Sequence, residues 1–320
     1  MDQNDTHGLT QEALRYQNEA ATALAALDTS ATTVAAQGSC GCAPKQAGSR
    51  NTLASFVYVM GKVTPRFPNL SVEKECFQTP RNSQSAGIIN NQALYAMLQK
   101  PENRYLARQL CWVLTVEGLE TYILQPRDPA DLSILIDTLR PLPRATDLSS
   151  AMIDVVIGIK GPLAPPEMCN SLMIPIVVFD QLYSFDMEAF MGTLPKPDKM
   201  ADNDFTNLKR AATKLFQQIK QMADNTGATD EYRALNYLTV RDPLIYLKAW
   251  EMEKENCLLT DVQVRPSRLS GARNVVDAIF VYTSQQVGIT QKFFIRIDVT
   301  EEFPFLVSKL APYYVYDQYP

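Results

Sequence analysis

Histidine is almost missing from this chain: 320 residues contain one, His7, in a polar N-terminal stretch. A Ser-His-Asp or Cys-His pair needs a histidine held in a folded site. Zinc sites of the HExxH kind need two, and di-iron bundles and facial triads also need more than one. None of these can be built unless His7 itself is recruited. An excess of positive charge is missing too. Lys+Arg is 30 against Asp+Glu 35, a formal charge of −5 with a pI near 5.1. Non-specific nucleic-acid binding needs a cationic footprint, so no nucleic-acid partner is expected. Long hydrophobic runs are also lacking. The longest, Met173 to Phe179, is interrupted by Pro175 and is too short to span a bilayer. The N-terminus has neither the basic nor the apolar region of a secretory signal. The expectation is no membrane span and a cytoplasmic location. Six cysteines are too few for a disulfide scaffold. Cys76, Cys111, Cys169 and Cys257 lie among apolar neighbours and read as buried, reduced thiols that pack as small hydrophobes.

What is present suffices for folding. With 46% hydrophobic residues the chain can bury a full core, and its length suits about two domains or one large one. Residues 1–52 differ from the rest. Residues 10–28 are Ala-rich and favour helix, with a thin apolar stripe of Leu14, Leu24 and Leu27. Residues 29–52 are rich in small and polar residues and suit a flexible linker. This region reads as an N-terminal arm, followed by two folded regions, 53–195 and 196–320.

The folded part opens on a strand, Phe56 to Met60, and two prolines, Pro65 and Pro68, are expected to stop regular structure after it. Residues 90–110 read as helix on both sides of Pro101, which fits the first turn of a second helix. Cys111 to Thr115 either extends that helix or starts a new element. Thr121 to Leu124 reads as a strand, and Ala130 to Leu139 as a helix with Leu132, Leu135, Ile136 and Leu139 on one face. Asp154 to Ile159 and Ile174 to Phe179 are strands flanking a proline-rich loop, Lys160 to Asn170; they either pair or are consecutive strands of one sheet. Phe205 to Ala223 reads as a helix with Gly227 as a left-handed stop. Residues 230–256 hold further helix, broken at Pro243. Cys257 to Arg265, Val275 to Thr283 and Gln291 to Val299 are strands, the last two a hairpin. The order is α+β: a mixed, largely antiparallel sheet with packed helices, not a wound βαβ sheet. A five-position echo, Val63-Thr64-x-x-Phe67-Pro68-x-Leu70 and Val299-Thr300-x-x-Phe303-Pro304-x-Leu306, marks two equivalent strand ends, a duplication, or chance.

Several stretches are familiar together: YVMGKVTPRFPNLSVEKE from Tyr58, ENRYLARQLCWVLTVEGLETY from Glu102, LQPRDPAD from Leu124, MADNTGATDEYRALNYL from Met222 and VRPSRLSG from Val264. Most specific are APPEMCNSLMIPIVVFDQLYSFD and DVTEEFPFLVSKLAPYY. The series resembles the C-terminal region of PatG-type cyanobactin maturation proteases, a region called a domain of unknown function, and covers most of 53–316. In those proteases a subtilisin-like domain precedes this region. Here about 52 residues stand in its place, and the family's proteolytic residues map onto nothing. The resemblance implies a stand-alone, non-catalytic accessory protein of ribosomal-peptide maturation that recognises a peptide or protein partner. A structural subunit of a larger assembly is the alternative, and a zinc- or thiol-dependent peptide-modifying enzyme is another.

Some residues can carry chemistry, each beside a plainer reading. Cys40-Gly-Cys42 can ligate a metal or exchange disulfides, although a zinc site needs four ligands and only a dimer would supply the other two; otherwise it is an incidental thiol pair and no cofactor is implied. Glu167 and Asn170, on a loop between two strands, can hydrogen-bond a peptide; Cys169 can be a nucleophile if Arg, Lys or a helix N-terminus activates it. Arg104 and Arg108 lie four apart on one helix face and either hold a carboxylate or phosphate, or pair with Glu73, Glu75 or Asp128. Arg265, Arg268 and Arg273 form either an anion site or a solvated loop. Tyr313, Tyr314, Tyr316 and Tyr319 suit an interface, and with the N-terminal arm a homo-oligomer, or else cap their own core.

Overall fold

The computed structural model describes residues 55–78, 91–141, 152–197 and 200–314. His7, Cys40, Cys42, Tyr316 and Tyr319, and the N-terminal arm as a whole, lie outside them. Among the described residues twenty elements, two of them single 3-10 turns, alternate in an irregular order, and the fold is α+β as the sequence indicates. The expected sheet divides into two.

The first sheet closes on itself. Strands β1 (Ser55–Arg66), β2 (Cys111–Val116), β3 (Leu119–Pro126), β4 (Met152–Leu163) and β5 (Pro175–Asp186) form a barrel in the order β1-β2-β3-β5-β4. Every pairing is antiparallel except β3 with β5. Glu117-Gly118 joins β2 to β3, both residues at positive φ, which is the two-residue turn that matches strand twist. Alternation sorts the side chains. Val57, Val59, Leu114, Tyr122, Leu124, Val156 and Phe179 belong to the core that the barrel shares with α1 (Leu70–Gln78), α2 (Asn91–Leu98), α3 (Arg104–Gln109) and α4 (Leu132–Asp137). Tyr58, Met60, Val155 and Ile157 point the other way and join a second core.

That second core lies against α5 (Met187–Gly192), α6 (Asp202–Lys220), α7 (Asp230–Arg241), α8 (Leu244–Lys254) and the second sheet. There β6 (Cys257–Pro266), β7 (Val275–Ser284) and β8 (Thr290–Asp298) form an antiparallel meander. Two short strands, β9 (Phe305–Leu306) and β10 (Ala311–Pro312), share the outer edge of β8. A closed barrel and an open meander are different topologies, so the five-position echo marks no duplication of one unit. Val63 lies inside β1, whereas Val299 follows the last residue of β8.

Two proline and glycine expectations change for physical reasons. Pro65 does not stop β1 but pairs with Trp112 inside it. Val63 N–H points to the β4 side, where it meets Asp154. Pro65, two residues on, faces the same side beyond the last β1–β4 pair, Gly61 with Asp154, so its missing N–H breaks no ladder bond. Gly227 is left-handed, φ +66°, but it is not the helix stop, because α6 ends at Lys220. Residues 55–61 of β1 pair with β4 alone and leave their other edge open. Gly227 fills that edge: its carbonyl accepts from Tyr58 N at 2.9 Å, and a Cβ there would sit 2.2 Å from Tyr58 O. Asn236 Nδ2 donates to Tyr58 O at 2.8 Å, and Tyr122 Oη donates to Thr226 O at 3.1 Å. The segment MADNTGATDEYRALNYL is thus the joint between barrel and helices.

Candidate functional site

The ends of β2 and β3 meet at the rim of the barrel, beside the C-terminal turn of α3 and the start of α4. A cavity of about 360 Å³ opens there. Its apolar lining comes from Trp112, Ile123, Leu124, Leu132, Leu135 and Met168, and its rim from Pro68, Pro126 and Pro129. Trp112 Nε1 donates to Ala107 O at 3.1 Å, which fixes the indole. Arg108, Gln109, Gln125 and Glu167 supply polar groups around this lining. Arg108 and Glu167 are exposed and form no ion pair among the described residues. The volume lies at the low end of ligand pockets, roughly 300–1,000 Å³, and suits one or two side chains of a ligand. A larger hollow, about 520 Å³, lies between β1, β2 and α6, but its charged groups are already paired: Lys220 with Glu117 at 3.1 Å and Lys62 with Asp154 at 3.6 Å.

One wall of the first cavity belongs to the β4–β5 loop, residues 164–174. It lies on the outward face of β2, β3 and β5, where Ala164, Met168, Cys169, Leu172 and Ile174 cover Val113, Ile123 and Ile176. Cys169 is bonded to Cys111, with Cα atoms 5.6 Å apart. The expected reduced thiol is therefore a disulfide, because the loop folds back onto the first residue of β2. A nucleophilic Cys169 is excluded in this state, and so is a free thiol at Cys111. Cys76 and Cys257 are free and buried, as read from their neighbours. Cys169, Asn170 and Ser171 all have positive φ, 51°, 55° and 62°. Left-handed backbone costs about 1–2 kcal/mol per L-residue, less for Asn, so three in succession mark a conformation imposed on the loop. Asn170 is exposed beyond the cavity.

The cavity thus unites Arg108, Glu167 and Cys169 and leaves out the other candidates. Arg104 is exposed and does not line it. The expected pairing of Arg104 or Arg108 with Glu73, Glu75 or Asp128 does not form among the described residues. Tyr105 Oη donates to Glu75 at 2.6 Å, and Asp128 caps the turn before α4 by accepting from Ala130 N at 2.8 Å. The arginines of the β6–β7 turn disperse. Arg265 donates to Tyr313 Oη, Arg273 pairs with Asp298 at 3.5 Å, and Arg268 stays exposed apart from them. Tyr313 packs on Phe294 at 5.5 Å and so caps its own sheet, whereas Tyr314 is exposed. The apolar lining, Trp112 and Leu124 above all, was legible in sequence only as core. Among the described residues no group of three metal-ligating side chains occurs. No described helix is long and apolar enough to cross a membrane.

A second polar cluster lies where β5 meets the segment after β8. Arg127 binds Asp180 at 2.8 Å. Asp180 Oδ2 and Glu302 Oε1 are both buried without a donor, and the Asp180 carboxyl lies against Glu302, so a proton held on Glu302 supplies the missing donor. Burial first, and then the Asp180 carboxyl, push Glu302 up to about 8 against the pull of Arg127 and Arg233. A folded-state value above the ordinary 4.5 means that this group's contribution is full below about 4.5 and is lost as pH rises through about 8. Glu302→Gln keeps the shape and cannot titrate. Urea midpoints are expected to show the variant gaining on wild type as pH is raised across that window; a constant difference would contradict a proton held on Glu302.

The fold and cavity define a class: an α+β protein whose five-stranded barrel carries a small amphipathic pocket at its rim. Two family models match separate stretches of the chain: one described as the PatG Domain over residues 56–164, and one described as PatG C-terminal over residues 202–313, so the chain resembles the PatG-type domains in both stretches. A solved structure titled "PatG Domain of Unknown Function" matches with a TM-score of 0.59 at 18% identity, covering 81% of this chain and 99% of that one. At that identity the likeness concerns the fold. No curated protein matches the chain.

Proposed function

We propose that this chain is a non-catalytic recognition protein of ribosomal-peptide maturation, and that it binds a peptide segment in the barrel-rim pocket. The observation that carries this reading is the pocket itself, an apolar lining ringed by prolines with Arg108, Gln109, Gln125 and Glu167 around it. An apolar peptide side chain enters; the glutamines hydrogen-bond its backbone; Arg108 and Glu167 select flanking charges. Rigid rim residues keep the ordering cost of binding low. The PatG-type domains supply the peptide-maturation context. Five-stranded barrels of comparable Greek-key type bind oligonucleotides on the face of strands 2 and 3. Here the β4–β5 loop covers that face, and the chain's net charge of −5 favours a peptide over a nucleic acid.

The test is titration with ribosomal precursor peptides encoded near the gene, followed by fluorescence anisotropy. Saturable binding is expected. Arg108→Ala with Glu167→Ala should weaken it roughly tenfold, the scale of 1.4 kcal/mol. Both positions are exposed, so folding should be unaffected. Binding that is indifferent to the double variant would sink the assignment of the pocket.

A further inference from the structure

We propose that the Cys111–Cys169 disulfide is a redox latch on this pocket, so that the oxidised protein holds ligand and the reduced protein releases it. The inference deepens the peptide-binding reading, on which its ligand arm rests. Three observations carry it. The loop wall, Glu167 to Cys169, is part of the pocket, and the disulfide ties it to the first residue of β2. Among the described residues the hydrogen bonds of 165–173 are local turns only, Met168 N to Pro165 O and Leu172 N to Cys169 O; the loop's neck closes separately, Ala164 N to Ile174 O. Its hold on the barrel is the disulfide and one small apolar cluster, separate from both large cores. At the point of attachment the backbone is left-handed over three residues, none of them glycine, a geometry that the free loop has no reason to keep.

The step balances with a dithiol as reductant. One of its thiolates attacks a sulfur of the Cys111–Cys169 bond, which breaks and forms a mixed disulfide. The second thiol of the reductant displaces it, leaving Cys111 and Cys169 as thiols and the reductant as a cyclic disulfide. Two electrons and two protons pass to the protein. Once the tie is cut, the left-handed turn relaxes, the pocket loses a wall, and the β2–β3 face is uncovered.

The experiment uses the full chain with Cys40→Ser and Cys42→Ser, so that the arm thiols cannot exchange. Cys111 and Cys169 should resist alkylation after treatment with glutathione disulfide and accept it after dithiothreitol. Hydrogen exchange of residues 164–174 should then quicken roughly tenfold or more on reduction, while the barrel core keeps its protection. A Cys111→Ser, Cys169→Ser variant should match the reduced protein under both conditions; if it fails to fold, reduction of the parent chain still reads the latch. Precursor-peptide affinity should fall roughly tenfold on reduction. Alkylation of both cysteines after oxidation, or loop exchange that ignores the redox state, overturns the latch. Equal peptide affinity in both states overturns its control of binding. Absence of binding in either state, with loop exchange still redox-dependent, overturns the peptide reading and supports the latch.

Discussion

Arg233→Ala is expected to cost about 4 kcal/mol of stability, within the 3–5 kcal/mol range for breaking a buried charged network. The guanidinium is almost wholly buried on α7, 3% exposed. It donates to the carbonyls of Val299 at 2.8 Å, of Glu301, and of Glu302 at 3.3 Å, pairs with Asp230 at 3.2 Å, and lies 5.2 Å over the Phe56 ring. These contacts join the helix to the segment leaving β8 and to the first strand of the barrel. Removing the side chain leaves three carbonyls without their donor and opens a hole above Phe56. Burial lowers the pKa of the group and Asp230 opposes that shift, so the charge is held by its neighbours rather than by water. Arg233→Lys should recover only part of the loss, because one ammonium cannot serve a fork of carbonyls. Urea midpoints of wild type, Ala and Lys in that order of comparison check the ranking; a Lys variant as stable as wild type would contradict the forked role.

Asp154→Ala is expected to cost about 3 kcal/mol, the sum of two stranded donors at roughly 1–3 kcal/mol each after relaxation. Asp154 is fully buried on β4. It accepts from Val63 N at 2.6 Å and from Ser184 Oγ at 2.5 Å, so a single carboxyl ties together β1, β4 and β5 at the place where β1 passes from one partner strand to the other. Lys62, 3.6 Å away, is partly exposed and returns to water if its partner is lost. Burial raises the carboxyl's pKa against the pull of Lys62, Ser184 and Val63. The part of its stabilisation linked to proton uptake is therefore present at low pH and lost as pH rises. Asp154→Asn keeps an acceptor for Val63 and avoids the buried charge, so it should cost no more than about 1 kcal/mol. Equal losses for Ala and Asn would show that the charge, not the hydrogen bonds, secures the strand junction.

Legibility followed the range of each signal. The long periodic helix α6, the break at Pro243 between α7 and α8, and the β7–β8 hairpin rest on neighbours in sequence, and all were readable. Closure of the barrel was not, because the parallel pairing of Ile123 to Pro126 with Ile176 to Phe179 joins segments with no local mark of each other. The Cys111–Cys169 bond spans 58 residues, and each cysteine alone resembles an ordinary buried thiol. The pocket was half legible. Arg108, Glu167 and Cys169 drew notice for separate reasons, and only the fold places them on one cavity. Trp112, Leu124, Leu132 and Leu135 alternate or recur at core spacing, so nothing local distinguishes a side chain that lines a pocket from one that fills a core. Arg104 and Arg268 carried the same charge signal as Arg108 and fell elsewhere.

A peptide that enters the rim pocket comes to lie beside Trp112. The chain has two tryptophans, so Trp250→Phe leaves Trp112 as the only indole. Trp250 lies on α8, away from the pocket lining. Titrating that variant with a precursor peptide should change Trp112 emission saturably, with the midpoint found by anisotropy. Binding seen by anisotropy with no change in Trp112 emission would place the peptide elsewhere and contradict the account.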